Sequence, residues 1–264
     1  MKLGYLIKRG ANLLKLGLAA RQIRKSTSEE QHQRAKKYLV ELLGKSRGLP
    51  TKIGQFITMD SDDHALRESL IDSIVPMPFH EVTEILGLAY GDSSVFKKLD
   101  KEPKVASLGQ VHFGTLKDGT EVAVKIQYSE IAGAVESELD IMGWLPKAGP
   151  VAKWGFKMDG YRDAFWENFS EELDYRIEIK HQTRYRKLIT PLERIVIPEV
   201  IEDLCKPNIL VQKKEEGFGL DKAETMMPAQ KQAMGRLLLE HYFHMLFRHG
   251  FVHADPQPAN LAFR

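Results

Sequence analysis

Hydrophobic positions repeat with a helical period through the first ninety residues, with a strand period in the middle of the chain, and with a helical period again toward residue 250. Residues 1–25 place Leu3, Leu6, Ile7, Leu13, Leu14 and Leu18 at helical spacing, with basic residues largely on the other side, which predicts a basic amphipathic helix. A second helix is expected from Ser28, through the acidic first turn of Glu29 and Glu30, to about Lys45, where Gly48 and Pro50 end it. Further helical patterns fall near 50–59, 64–74 and 79–90. From about residue 104 the period drops to two, and 105–108, 111–116 and 121–127 read as short strands. Asp118-Gly119 between the last two predicts a two-residue hairpin of type I′. Helices are expected at about 129–145 and, without interruption, 161–188. Residues 194–201 and 208–213 read as two more strands, and 228–249 as a last helix ending at Gly250. Five strands with intervening helices predict an α+β fold.

Composition narrows the classes. Of 264 residues, 43% are hydrophobic and 28% charged, which excludes wholesale disorder, collagen-like repeats and a polytopic membrane protein. No apolar run approaches the roughly eighteen residues of a membrane-spanning helix. The net charge of +2 hides a split, because residues 1–25 carry seven basic side chains and no acid, leaving 31 basic against 36 acidic beyond them. Two roles suit that stretch equally. One is docking on an anionic membrane surface, where each Lys or Arg contributes on the order of 1 kcal/mol. The other is a helix packed on the body with its basic face solvated. The lone cysteine, Cys205, has no disulfide partner in the chain and no CxxC context. It reads as a buried small apolar residue in an intracellular or oxidation-independent chain.

Chemistry concentrates at two places. His253-Ala254-Asp255-Pro256-Gln257-Pro258-Ala259-Asn260 has the His-x-Asp-x-x-x-x-Asn spacing in which the Asp takes or orients a hydroxyl proton and the Asn binds a metal ion. Its two prolines bar a helix, although Asp and Asn are also ordinary residues of Pro-rich turns. Lys125 interrupts the apolar strand Val122-Ala123-Val124 and needs a partner there; the alternative is an edge lysine facing water. The order hairpin, lysine strand, long acidic helix, two strands, helix, Pro-rich loop is that of protein-kinase lobes. There is no Gly-rich loop and no Walker motif, since Leu39 stands where the first glycine before Gly44-Lys45-Ser46 would be. His241, His244, His249 and His253 lack metalloprotease spacing and read as structural. Lys97-Lys98 and Lys213-Lys214 are too short for a nucleic-acid footprint.

Several short motifs in order carry a resemblance: Lys52-Ile53-Gly54-Gln55, Val105-Ala106-Ser107 followed by Gly109-Gln110-Val111-His112, the lysine strand Val122 to Gln127, Glu172-Leu173-Asp174, and His253 to Asn260. Over nearly all of residues 45–264 the chain resembles the UbiB family of atypical protein-kinase-like proteins, also called AarF-domain kinases. The resemblance implies a protein-kinase-like fold in four parts: a basic helix at 1–27, a helical extension at 28–99, a five-stranded N-lobe at 100–217, and the start of a helical C-lobe at 218–264. It implies ATP or ADP with Mg2+, Asp255 as the catalytic residue and Asn260 on the metal. Lys125 would contact phosphates and pair with Glu178, Ala106 and Ser107 would line the nucleotide pocket, and the hinge Lys213, Lys214, Glu215 and Glu216 would hold adenine. Lys52, Gly54, Gln55, Glu172 and Asp174 would form a regulatory constellation, with the extension folded over the site and Glu172 meeting Lys52. On one continuous helix, positions 172 and 178 would lie about 600° apart and engage different partners.

Gln257 and Ala259 depart from the family's catalytic loop, and the chain stops nine residues beyond Asp255, short of the family's Asp-Phe-Gly. The motif order therefore reads as cut off just past the catalytic loop. The resemblance implies an atypical kinase or ATPase in ubiquinone or other isoprenoid-lipid metabolism. Its implied partners are a nucleotide, a lipid or lipid-like molecule, a membrane surface touched through residues 1–25, and a homodimer or lipid-biosynthesis complex, with no nucleic acid. The implied location is intracellular and peripheral to a membrane, on the bacterial cytoplasmic side or in mitochondria. A nucleotide-binding pseudokinase or scaffold without turnover is one alternative, and a small-molecule phosphotransferase of the aminoglycoside or choline type is another.

Overall fold

In the computed structural model the described residues are 15, 16, 18, 19, 21–23, 25–45, 51, 69, 70, 72–91, 95–106, 108–129, 131, 171–190, 192, 194–254 and 260–264. Their centre is an antiparallel sheet in the order β1 (Phe96–Leu99), β3 (Gly109–Leu116), β4 (Glu121–Gln127) and β5 (Ile209–Lys213), with β2 (Lys104–Val105) paired to the start of β3. Alternation along β4 sends Val122, Val124 and Ile126 to one face, where they meet Ile209, Val211, Leu116 and the helix α2 (Phe79–Tyr90) through Val82 and Leu86. The other face receives Tyr175 and Ile179 of the helix α3 (Tyr175–Ile189), packed on Leu210. Cover on both faces explains why β4 is buried along most of its length.

Helices α1 (Glu29–Lys45) and α2 match their expected spans. Pro78 starts α2, and Gly91 (φ 70°) ends it in a conformation that disfavours other residues. Of the basic N-terminal segment, the described turns bury Leu16 and Ala19, with Leu16 against Val40 and Leu43 of α1, and leave Lys15, Arg21 and Lys25 outward. Among the described residues no helix is long and apolar enough to cross a membrane.

Four expectations are corrected. The strand expected at 105–108 is Lys104–Val105 alone. Residues 194–201 form no strand; around Pro198, which has no N–H for a ladder, they make one bridge, Val200 to Gln212. The fifth strand is instead Phe96–Leu99, whose Lys97 and Lys98 face solvent. The hairpin is longer than a two-residue turn: Gly119 N donates to Leu116 O (3.0 Å), Leu116 N donates to Thr120 O (2.9 Å), and Gly119 (φ 94°) supplies the left-handed position. The final helix divides, α5 (Pro228–Phe243) continuing as a π-helical segment, His244–His249, up to Gly250 (φ 56°). A short helix, α4 (Leu220–Glu224), precedes it. No residue of α5 is buried, and Leu239, Phe243 and Phe247 form an outward ridge that is 59%, 50% and 79% exposed.

On the α2 face of β3 the inward positions include polar ones. Gln110 and His112 are fully buried. Gln110 accepts from Met77 N (2.6 Å), donates to Met77 O (3.1 Å), and meets His112 Nε2 at 2.9 Å. His112 Nδ1 lies 2.7 Å from Asp100 O, an acceptor, so the network assigns the proton to Nδ1 and leaves Nε2 to accept from Gln110. Burial holds the His112 pKa below its ordinary value. The charged group facing the ring is the Asp100 carboxylate, which is tied to Lys98. Between the two pKa values only the unfolded chain takes up the proton. The stability His112 contributes is therefore whole above pH about 6.5 and is lost as pH falls toward the depressed value. Thermal unfolding between pH 5 and 8 is expected to show this slope in the wild type and a flatter one in His112→Gln; equal slopes would contradict it.

Candidate functional site

The site forms where β4, α3 and the connection after β5 meet. Ala123, Lys125 and Gln127 alternate onto the face that α3 covers, so Lys125 leaves an apolar strand toward the helix. The helix expected to run unbroken over 161–188 is interrupted within the described residues. Asp174 takes an extended backbone (φ −120°, ψ 99°), its carboxylate caps Arg176 N at 3.0 Å, and α3 begins at Tyr175. The same carboxylate binds the Arg176 guanidinium, with Nη2 to Oδ2 at 2.6 Å. Arg176 holds the Asp174 carboxyl below the usual carboxylate range. Glu172 lies before this break, so the 600° relation between positions 172 and 178 does not apply.

Two bonds pin the start of α3 to the sheet: Gln127 Nε2 donates to Leu173 O (3.0 Å), and Tyr175 N donates to Pro207 O (2.9 Å). That register sets Glu178 over β4. Lys125 Nζ lies 2.7 Å from each Glu178 carboxylate oxygen, and 4.7 Å from the centre of the Tyr175 ring. The two side chains are 28% and 37% exposed, so the pair opens to solvent on one side.

The connection from β2 to β3 is only Ala106 to Leu108. Ala106 N donates to Gly109 O (2.9 Å), and Tyr128 Oη donates to Ala106 O (3.3 Å). A Cβ on Gly109 would lie 2.4 Å from Ile126 O and 2.9 Å from Tyr175 Oη. That hydroxyl is buried with no hydrogen-bond partner among the described residues, and burial pushes its pKa up.

At the end of β5 and just after it, the Lys213 and Lys214 ammonium groups are tied to Glu199 (2.9 Å) and Glu121 (3.2 Å). Their backbone N–H groups donate to Glu199 O and Glu121 O. Glu215 and Glu216 follow, exposed. Phe218 and Phe263 exchange two backbone bonds (2.8 and 2.9 Å), which brings the chain after Asn260 back beside the β5 connection; a Cβ on Gly217 would lie 2.8 Å from Ala262 Cβ. At the far end of α3, Tyr185 and His181 meet the Phe251 ring at 5.9 and 5.8 Å, and the Arg184 guanidinium lies 4.3 Å above it. One helix thus positions both Glu178 and the approach to His253.

Among the sequence-derived candidates the structure brings Lys125 and Glu178 into contact and ties Ala106 to Gly109 through a backbone bond. It turns Asp174 to Arg176 and leaves Asn260 exposed. Lys52, Gly54, Gln55, Ser107 and Asp255 lie outside the described residues. The described residues hold no group of three or more His, Cys, Asp or Glu able to bind a metal ion. His244 and His249 meet each other at 3.3 Å, and His241 meets Tyr185 Oη at 2.9 Å. Tyr175 and Phe251 escaped the sequence reading, since an aromatic beside a motif looks like any core residue.

Residues 69–264 match the family described as the ABC1 atypical kinase-like domain. The chain belongs to that family. Relatives of this ABC1 domain include a mitochondrial atypical kinase, coq-8, of Caenorhabditis elegans, 26% identical over 84% of this chain and 31% of that protein. Mitochondrial atypical kinase COQ8B of Rattus norvegicus is 29% identical over 85% of this chain and 44% of that one. Among solved structures, Rv3197 of Mycobacterium tuberculosis, in complex with erythromycin, superposes with a TM-score of 0.60 at 28% identity, over 88% of this chain and 61% of its own. The chain spans less than half the length of the curated relatives it matches. The five-stranded antiparallel sheet with its helices is the α+β, kinase-like fold of the ABC1 domain.

Proposed function

We propose that this chain is the nucleotide-binding part of a UbiB-type atypical kinase or ATPase that uses ATP with Mg2+. The carrying observation is the Lys125–Glu178 pair, assembled on a face open to solvent. A lysine held by a carboxylate on one side keeps a fixed position while offering its remaining N–H groups to phosphate oxygens. Ala106, whose N–H donates to Gly109 O, would line the nucleotide pocket in this reading. In this reading Lys213, Lys214, Glu215 and Glu216 form the adenine hinge, and because the Lys213 and Lys214 N–H groups already donate to Glu199 O and Glu121 O, those two residues would offer adenine no N–H. Asp255 is the catalytic residue and Asn260 the metal ligand of this reading, and bound Mg2+ would neutralise the phosphate charge. The names of the mitochondrial relatives support a role in ubiquinone-related lipid metabolism, and the outward Lys15, Arg21 and Lys25 suit contact with an anionic membrane.

Titration with Mg-ATP, followed by calorimetry, is the test. Lys125→Ala is expected to weaken binding about tenfold, equivalent to about 1.4 kcal/mol. Unchanged affinity would remove the assignment.

A further inference from the structure

Hydrogen bonds fasten the first half of α3 to the sheet and the chain beside it. Its start is held through Leu173 O and Tyr175 N, and the end of its first turn through Glu178. One turn further, Gln182 donates from Nε2 to Pro198 O (2.9 Å) and to Gln212 Oε1 (2.8 Å). Both N–H groups of that amide are thereby used, which fixes the plane of the amide and with it the rotation of the helix about its axis. Gln212 lies on β5 directly opposite Ala123, on the face that carries Lys125. Positions 178 and 182 share one side of the helix. The pairs beyond, Thr183 with Glu202 (3.3 Å) and Arg186 with Glu199 (3.4 Å), are exposed and long, and such contacts contribute little. The half-buried amide bridge is the last firm fixing before α3 reaches Phe251.

We propose that the Gln182–Gln212 bridge is a positioning device that holds Glu178 on Lys125 in the absence of any ligand, so that the lysine is already placed for phosphate when a nucleotide arrives. The last clause rests on the nucleotide reading; the positioning itself does not. A helix fixed only at Leu173 and Tyr175 could rotate about that point and carry Glu178 off β4; the bridge one turn beyond Glu178 removes that freedom.

The test is a triple-mutant cycle on the ligand-free chain. The coupling between Lys125→Met and Glu178→Gln is measured by denaturant unfolding, first with Gln182 present and then with Gln182→Leu, which keeps the bulk and loses both donors. If the bridge positions Glu178, the coupling constant falls about fivefold in the Leu background, the size expected for loss of one ordinary hydrogen bond. A role in general stability alone would lower every unfolding midpoint and leave the coupling unchanged, and that outcome overturns the proposal. Should Gln182→Leu fail to fold, Gln212→Leu, which removes only the acceptor and leaves the bond to Pro198, serves in its place with the same expected outcome. Mg-ATP binding by the same variants separates the two readings. If the wild-type chain binds no ATP while the Gln182→Leu background shows the coupling loss, the bridge stands and the nucleotide role is discarded.

Discussion

Gln110→Leu is expected to destabilise the fold by about 3–5 kcal/mol. The replacement removes one amide and leaves three groups behind: Met77 N–H, Met77 C=O and His112 Nε2. An orphaned buried polar group costs about 1–3 kcal/mol, and the site offers water no route because Gln110 and His112 are fully buried and Met77 is 2% exposed. The leucine side chain recovers some apolar burial, which keeps the total below the plain sum. The same amide joins the segment before α2 to β3, so hydrogen exchange at Met77 should accelerate along with the loss in unfolding midpoint. The effects of Gln110→Leu and His112→Leu are expected to be strongly non-additive, because each single change orphans the other residue. A Gln110→Leu variant within about 1 kcal/mol of wild type, on the order of an ordinary surface change, would mean that Met77 does not depend on the amide.

Gly109→Ala is expected to cost about 3 kcal/mol, near the upper end for one methyl group forced into a filled site. The added carbon would meet a backbone oxygen, Ile126 O, at 2.4 Å, and Tyr175 Oη at 2.9 Å. The hydroxyl can be removed and the backbone cannot. Adding Tyr175→Phe to the Gly109→Ala variant should therefore restore only part of the loss. Taken alone, Tyr175→Phe is expected to stabilise the chain by about 1 kcal/mol, since it deletes a buried hydroxyl that pairs with no described residue. The strand that must give way carries Lys125 one residue before Ile126, so Mg-ATP affinity should fall in Gly109→Ala as well. Unfolding midpoints for the three variants decide the matter, and a neutral Gly109→Ala would deny the close approach.

The sequence reading succeeded where local chemistry and tertiary packing agree. Pro78 and Gly91 bracket α2 in any context, and a lysine inside Val122 to Ile126 demands an acidic partner wherever the strand lies. It failed where the partner is distant. Gln110 and His112 occupy the inward positions of β3 while Val111 and Phe113 face the other way, the reverse of a simple amphipathic strand, and only the contact with Met77 makes that arrangement favourable. Phe96–Leu99 reads as a charged stretch and becomes an edge strand because β3 offers it a free side. Residues 194–201 are β-branched and still lie outside the sheet, since Pro198 interrupts the donors a ladder needs. In the candidate site, the Lys125–Glu178 pair was legible through the family resemblance that the ordered motifs carry. The break at Asp174 was not, because Asp inside an acidic helical pattern looks like one more helix residue until its cap bond to Arg176 is seen.

The ridge along α5 and the π-helical segment after it bears on how the chain behaves in bulk solution. Leu239, Phe243 and Phe247 present their side chains to water, with the two phenyl rings stacked at 5.7 Å, while the whole chain carries a formal charge of only +2. Long-range repulsion between molecules is then too weak to keep such ridges apart. The osmotic second virial coefficient of this chain is expected to be negative and to become more so in sulfate, which strengthens the association of apolar surface.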